Sequence, residues 1–426
     1  MSDDLESIRS DVPGPRTAAL RAALVRHESR NVTYVADDFP VVWESASGAT
    51  VCDVDGNRYL DLTAAFGVAN VGHSNPNVVA AIHAQSTRLM HAMGDVHPAE
   101  ARIALLERLA GLLPGLSKTF LATTGSEAIE AAMKTAVLAT GKHVFISYDG
   151  AYHGLSLGAL SLAGLSKFRE PFAPLVADAG IRLGYPRAGA DSAEAALRDL
   201  RARLDERDDV AAIVIEPIQG RGGCVVPPPG YLAGLRAICD ERRVLLIFDE
   251  IYTGFGRTGE WFACMHDDVV PDIICIGKAM GSGFPVSAAI ARAAVMDAWP
   301  PSRGEALHTS TYLGNPMGCA AALATIHELE RLQAIERVKT IGPLLGARLD
   351  ALRAHPSVRD VRGIGFMWGV QLSDGHRAGR AVTAALARGV IVLQAGSDGD
   401  VLSITPPLVM SERQLYRAID ILEEVL

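Results

Sequence analysis

Lys278 closes the apolar run "IICIG" and opens the glycine-rich turn "AMGSGFP". A lysine at the end of a buried strand is partly desolvated, which suits it to Schiff-base chemistry, although a structural ion pair fits the same position. Asp249 ends "VLLIFD" and leaves a carboxylate at the edge of an apolar layer. Such a group needs a cationic partner or hydrogen bonds, or it simply caps the next turn. Glu216 closes "AAIVIE" in the same way. In Thr123-Thr124-Gly125-Ser126-Glu127-Ala128 a strand passes into a helix. The open N–H groups and the helix dipole there favour an anion such as phosphate, and the same residues also read as an N-cap followed by an acidic first turn. Tyr152-His153-Gly154 follows the run "HVFISY" after a short loop and brings an aromatic ring to the same edge, for a ligand or for packing.

These residues share a position because of the elements that carry them. From about Pro76 onwards short apolar runs ("KTFLATT", "HVFISY", "AAIVIEP", "VLLIFDE", "DIICIGK") alternate with helical segments such as 126–140 and 230–242. That alternation predicts an α/β fold with a mostly parallel sheet covered on both faces. Ligands of such sheets bind beyond the carboxyl ends of the strands, where Thr123, Thr124, Glu216, Asp249 and Lys278 all stand. Before this region, "VVWESASGATVCDVDGNRYLDL" breaks at Gly48 and at Asp55-Gly56, which predicts a small antiparallel sheet. The expected organisation is an N-terminal arm and first part of a small domain (1–75), a large domain (76–318), and the remainder of the small domain (319–426). The arm, rich in Arg and Pro, is expected at the surface, free to drape over a neighbour.

Composition narrows the function further. The 426 residues are 49% hydrophobic and 21% charged, enough to bury a sizeable core. A net charge of −9 without a long basic run argues against nucleic acid or an anionic membrane as partner. Six scattered cysteines include no Cys-x-x-Cys pair, the N-terminus is acidic, and no apolar run reaches the roughly 18 residues of a membrane span, so a soluble cytoplasmic protein is expected. Neither a Walker-type nor a dinucleotide-type glycine loop is in place, and metal-ligand spacing is missing, so no catalytic metal is expected. Gly154-Leu155-Ser156-Leu157-Gly158 matches the Gly-x-Ser-x-Gly elbow of hydrolases, but its serine lies eight residues beyond Tyr148 rather than on the turn directly after the strand.

The ordered segments "TTGSEAIEAAMKTA", "YHG", "IEPIQGRGG", "FDEIYTGFGRTG", "CIGKAMGSGFP", "HTSTYLGNPMGCAAA" and "ITPPLV" resemble the class III aminotransferases, of the fold type I pyridoxal-phosphate enzymes, from about Val41 to the C-terminus. The resemblance implies a large domain with a mostly parallel sheet between helices and a small α+β domain built from both chain ends. It implies pyridoxal 5'-phosphate as cofactor, bonded to Lys278, which afterwards moves the proton. Asp249 would hold the pyridine nitrogen protonated, Gly125 and Ser126 the phosphate, and Tyr152 and Ile251 the two ring faces. His153 and Glu216 would support the cofactor or face the substrate. Thr311 would reach the cofactor of a partner subunit, so the resemblance also implies an obligate homodimer with shared sites.

The implied reaction moves an amino group from an ω-amino acid or amine to a 2-oxo acid; a racemase or epimerase of the same fold is the alternative. A pyridoxal-binding regulator of the same fold would want a basic DNA-binding segment, which neither the acidic N-terminus nor the net charge supplies. Three positions depart from relatives that use glutamate. Ser403 stands where they often have Arg before "PPL", Arg221 where they tend to have Glu after "PIQG", and Tyr252 where many have Gln. From the first two departures Arg221 is expected to grip the substrate carboxylate, with Ser403 making room, and Phe66 to shape the site mouth.

Overall fold

The computed structural model describes residues 3–176 and 180–426. Strands β1 (Trp43–Ser47), β2 (Thr50–Asp53) and β3 (Arg58–Asp61) form the antiparallel meander read from the sequence. Its turns pass through Gly48 and Gly56 at φ +59° and +86°, a region open to glycine without a Cβ clash. The N-terminal segment is docked on its own chain. Asp55 accepts from the backbone N–H groups of Arg16 and Thr17, Asn57 from those of Arg9 and Ser10, and Arg417 bonds Glu6. Side chains of the meander thus satisfy the arm's backbone, which Arg and Pro content alone does not reveal.

The large sheet holds β4 (Lys118–Ala122), β5 (Val144–Tyr148), β6 (Gly180–Leu183), β7 (Val210–Ile215), β8 (Leu245–Asp249), β9 (Ile273–Ile276) and β10 (Ser287–Ala291). Their spatial order is β4-β10-β9-β8-β7-β5-β6, with β10 alone running antiparallel to its neighbours. The period of two along the central strands divides the core between two faces. Ile213, Ile215, Leu246, Phe248, Ile274 and Ile276 pack with Leu200, Leu235 and Ile238 of the helices Ala193–Asp205 and Tyr231–Arg242. Ala212, Val214, Ile247, Ile273 and Cys275 pack with Ala128, Ala132 and Ala136 of the helix Gly125–Thr140. Both faces being covered, these strands read as continuous apolar runs. The runs at β6 ("GIRL") and β10 ("SAAIA") are short, and one carries an arginine while the other is built of small residues, so neither carries that signal.

A third sheet joins β11 (Val358–Ile364), β12 (Met367–Leu372), β14 (Leu393–Ala395) and β15 (Val401–Ile404) in the order β11-β12-β15-β14, all antiparallel. Between them in sequence, β13 (Val390–Ile391) pairs in parallel with β3. The two chain ends therefore share a sheet, as the resemblance implied. Among the described residues no helix is long and apolar enough to cross a membrane, and all six cysteines are unpaired.

Candidate active site

A cavity of about 1260 Å³ opens at the carboxyl ends of β7, β8 and β9. It is lined by Gly125, Ser126, Tyr152, His153, Glu216, Asp249, Ile251 and Lys278, together with Phe66, Arg221 and Ser403. Thr311 alone of the expected site residues does not line it; it is exposed in the segment before the helix Pro316–Arg331. A smaller cavity of about 610 Å³, near the amino ends of β7 and β8, is lined by Lys142, Asp205, Arg207 and Arg242 and holds none of these residues.

At the end of β8, Asp249 is buried and bonded on both oxygens. Its Oδ2 lies 2.7 Å from His153 Nδ1, and its Oδ1 accepts from the Ile251 N–H at 3.1 Å. Burial pulls the His153 pKa down, but the hydrogen bond and charge of Asp249 outweigh it and leave His153 raised. The other ring nitrogen, Nε2, is buried with no partner among the described residues. Glu216, at the end of β7, accepts from the backbone N–H of Tyr152 at 3.0 Å and of Gly220 at 2.9 Å, so it holds the aromatic loop against the sheet. Burial and the neighbouring charge of Asp249 push its pKa up to about 7, against the charge of His153.

Lys278 follows β9 with a backbone φ of +41°, a left-handed value that costs a side-chain-bearing residue about 1–3 kcal/mol and clusters at functional sites. Desolvation lowers its pKa, while Asp249 and Glu216 act the other way through charge alone. Its Nζ stands 4.4 Å from the centre of the Tyr252 ring.

The helix Gly125–Thr140 begins with both features read from its sequence. Thr124 caps it, with Glu127 Oε2 accepting from the N–H groups of Thr123 and Thr124 at 2.8 and 3.0 Å. The first N–H groups of a helix have no acceptor inside it, and Gly125 and Ser126 present theirs at the cavity wall. A Cβ on Gly125 would stand 2.8 Å from Ile251 Cδ1 and 3.2 Å from its Cγ2, so a larger residue would push Ile251 aside at the cavity wall.

Three polar features thus lack complete protein partners: an amine, an open helix N-terminus, and the ring nitrogen of His153 beside a paired carboxylate. Lys278 with Asp249, Gly125 and Ser126 fits pyridoxal phosphate, with its aldehyde, its ring nitrogen and its phosphate. Among the described residues no group of side chains could hold a metal. Nor does the hydrolase elbow survive, because Ser156 stands well beyond the end of β5 at Tyr148, and its Oγ bonds Glu130 Oε1 at 2.7 Å.

Arg221 is exposed at the cavity wall, where its Nη1 donates to the carbonyl of Gln394 on β14; among the described residues it pairs with no acid. Ser403 is buried beside Cys224, with Oγ 3.7 Å from Sγ. Phe66 is 65% exposed at the mouth, on a left-handed run from Ala64 to Phe66. Sequence reasoning missed Tyr34, Asp38 and Phe39 from the arm's end and Arg380 from the helix Gly375–Ala387, all of which line the cavity. None lies at a strand end or in a motif, so nothing local marks them. Thr405 also lines it and does stand inside "ITPPLV", which was the available signal.

Comparison with known proteins places this geometry. The family model described as Aminotransferase class-III matches residues 33–426. The chain is 39% identical over 402 residues to an acetylornithine aminotransferase of Methanosarcina mazei, covering 94% of this chain and 96% of the relative. It is 38% identical over 405 residues to a putrescine aminotransferase of Pectobacterium atrosepticum, covering 93% and 84%. Among solved structures, an (S)-enantioselective omega-transaminase from Thermomicrobium roseum superposes with a TM-score of 0.89 at 28% identity, over 96% of this chain and 98% of that one. An ornithine aminotransferase from Toxoplasma gondii with PLP partly occupying its active site gives 0.86 at 29%, over 96% and 94%. With a fold type I core, a lysine and a carboxylate at adjoining strand ends, and relatives matched along nearly its whole length, the chain belongs to the class III aminotransferases, enzymes that work with pyridoxal phosphate.

Proposed function

We propose that this enzyme takes the amino group from the end of a short aliphatic chain, on an ω-amino acid or a diamine, and delivers it to a 2-oxo acid held through its carboxylate by Arg221. The observation that carries the reading is the cavity wall, which places Lys278 and Asp249 at the ends of β9 and β8 and Arg221 among the same lining residues. Relatives named for acetylornithine and putrescine support a donor of this kind.

Bound pyridoxal phosphate supplies an electron sink for the pair left behind when the substrate C–H bond breaks. The chain's own residues do the rest. Gly125 and Ser126 anchor the phosphate with backbone N–H groups, and Asp249 offers a fixed negative charge to a pyridinium, held in place by His153 and the Ile251 N–H. Lys278, whose pKa burial lowers, is the group that would take a proton from the substrate carbon and return it. Tyr152 and Ile251, both at the cavity wall, would hold the ring between them. Phe66 narrows the mouth, while Ser403 leaves the volume that an arginine would fill.

The working unit in this reading is a homodimer. Thr311 sits beside exposed Leu307 and Tyr312, and the segment carrying exposed Met90, Met93 and Val96 lies against it through Asn315 Nδ2, which donates to the Met90 carbonyl at 3.1 Å. An exposed apolar patch of this kind suits a partner surface, with Thr311 reaching the partner's phosphate.

A half-reaction tests the chemistry. Holoenzyme given 4-aminobutyrate or putrescine, with no oxo acid, should release about one equivalent of aldehyde per site and then stop. A racemase releases none; holoenzyme that yields no aldehyde from these achiral donors, yet racemises a chiral amino acid supplied in a parallel assay without forming carbonyl product, overturns the reading.

A further inference from the structure

We propose that Tyr252 is a positioning residue which holds the side-chain ammonium of Lys278 over its ring face, fixing where that group waits whenever it is not bonded to cofactor. The inference rests on the reading of Lys278 as the cofactor-bonding lysine, and three observations carry it.

The amine stands 4.4 Å from the ring centre, within the distance at which an ammonium is attracted by the negative face of an aromatic ring. The other groups that act on it, Asp249 and Glu216, do so through charge and without a hydrogen bond, and His153 reaches Lys278 only by way of Asp249. Among the described residues no acid forms an ion pair with that charge, which leaves the Tyr252 ring face as a close fixed contact for it.

The ring itself cannot turn away. Thr405 Oγ1 donates to the Thr63 carbonyl at 3.3 Å, which leaves its lone pair for the Tyr252 hydroxyl, 3.0 Å away. Gly220 and Gly67 press on opposite edges: a Cβ on either would stand 2.9 Å from Cδ1 or 3.0 Å from Cε2. A side chain pinned at its tip and both edges is preorganised, so little freedom is lost when the amine settles on it.

The phenol is also neutral over the working range. Burial, aided by Cys224, raises its pKa against the Thr405 hydrogen bond and the charge of Arg257. A neutral ring offers a quadrupole rather than a full charge. Such a contact is weak enough for the amine to leave and strong enough to bias where it rests. A glutamine at this position would offer a hydrogen bond instead, and the lysine would wait along a different direction.

The test reads the titration of Lys278 in cofactor-free protein, so its failure is distinct from failure of the amine-transfer reading. Competitive acetylation with acetic anhydride across pH, followed by peptide mass spectrometry, gives the midpoint for Lys278, with surface Lys339 as internal standard. Tyr252→Phe keeps the ring and its packing. A variant carrying pentafluorophenylalanine at position 252 keeps the shape but reverses the ring quadrupole. The phenylalanine variant should keep the wild-type midpoint, whereas the fluorinated one should lower it by about one pH unit, the scale of a desolvated cation–π contact. Equal midpoints in the two variants overturn the proposal. So does a full-unit fall in Tyr252→Phe, which would assign the effect to the hydroxyl.

Discussion

Asp249 and His153 form a buried pair, Oδ2 to Nδ1 at 2.7 Å, although 96 residues separate them in the chain. The pairing makes Asp249 the reason the His153 pKa is raised in a site where burial pulls it down. Asp249→Asn retains shape and hydrogen bonding but removes that charge. Turnover should fall at least about a hundredfold with cofactor still bound, the usual cost of losing one preorganised electrostatic partner. Steady-state kinetics at saturating cofactor, with occupancy read by absorbance, check this. Near wild-type turnover would mean that something else holds the ring nitrogen.

Borohydride reduction of the holoenzyme followed by peptide mapping should leave the pyridoxyl group on Lys278, the lysine that lines the cavity with its pKa depressed by burial. A label on any other lysine would contradict the assignment.

Arg221 spends one nitrogen on the Gln394 carbonyl and keeps donors for a ligand. Arg221→Ala should raise KM for the oxo-acid acceptor roughly tenfold or more, the loss of about 1.4 kcal/mol of charged hydrogen bonding. Turnover of an amine donor without a carboxylate should change much less. An equal effect on both substrates would show that Arg221 supports the wall and does not grip the carboxylate.

Thr311→Ala should weaken cofactor retention and shift the dimer toward monomer at low protein concentration, because a ligand bound across an interface stabilises the assembly. Dialysis followed by analytical ultracentrifugation reads both. A fully active monomer would remove the shared-site reading.

Glu216 supplies a pH signature. Its folded pKa is raised from 4.5 to about 7, so the folded state binds a proton that the unfolded state releases over that range. The stability this contributes is complete below about pH 4.5 and is lost as pH rises through 7. Thermal melting of the cofactor-free protein should therefore decline across this window, and Glu216→Gln should flatten that decline. An unchanged slope in the variant would place the proton elsewhere in the Glu216–His153–Asp249 cluster.

Much of this enzyme is readable before folding. β7, β8 and β9 are buried on both faces, so they appear as uninterrupted apolar runs, and the polar residue ending each one must lie at the same sheet edge because the strands are parallel. Glu216, Asp249 and Lys278 follow from that rule, and Thr124 with Glu127 from capping chemistry that spans only four residues. What could not be read are relations between distant segments. His153 meets Asp249, Arg221 meets Gln394 across 173 residues, and Tyr252 is pinned by Thr405 beneath Lys278. Tyr34, Phe39 and Arg380 enter the wall from the arm and from a helix near the C-terminus. Local patterns report which face a residue turns inward, since burial acts residue by residue along an element. Which surfaces then come to face one another depends on strand order and on how the chain ends fold back, and these are settled by the packing of the whole molecule.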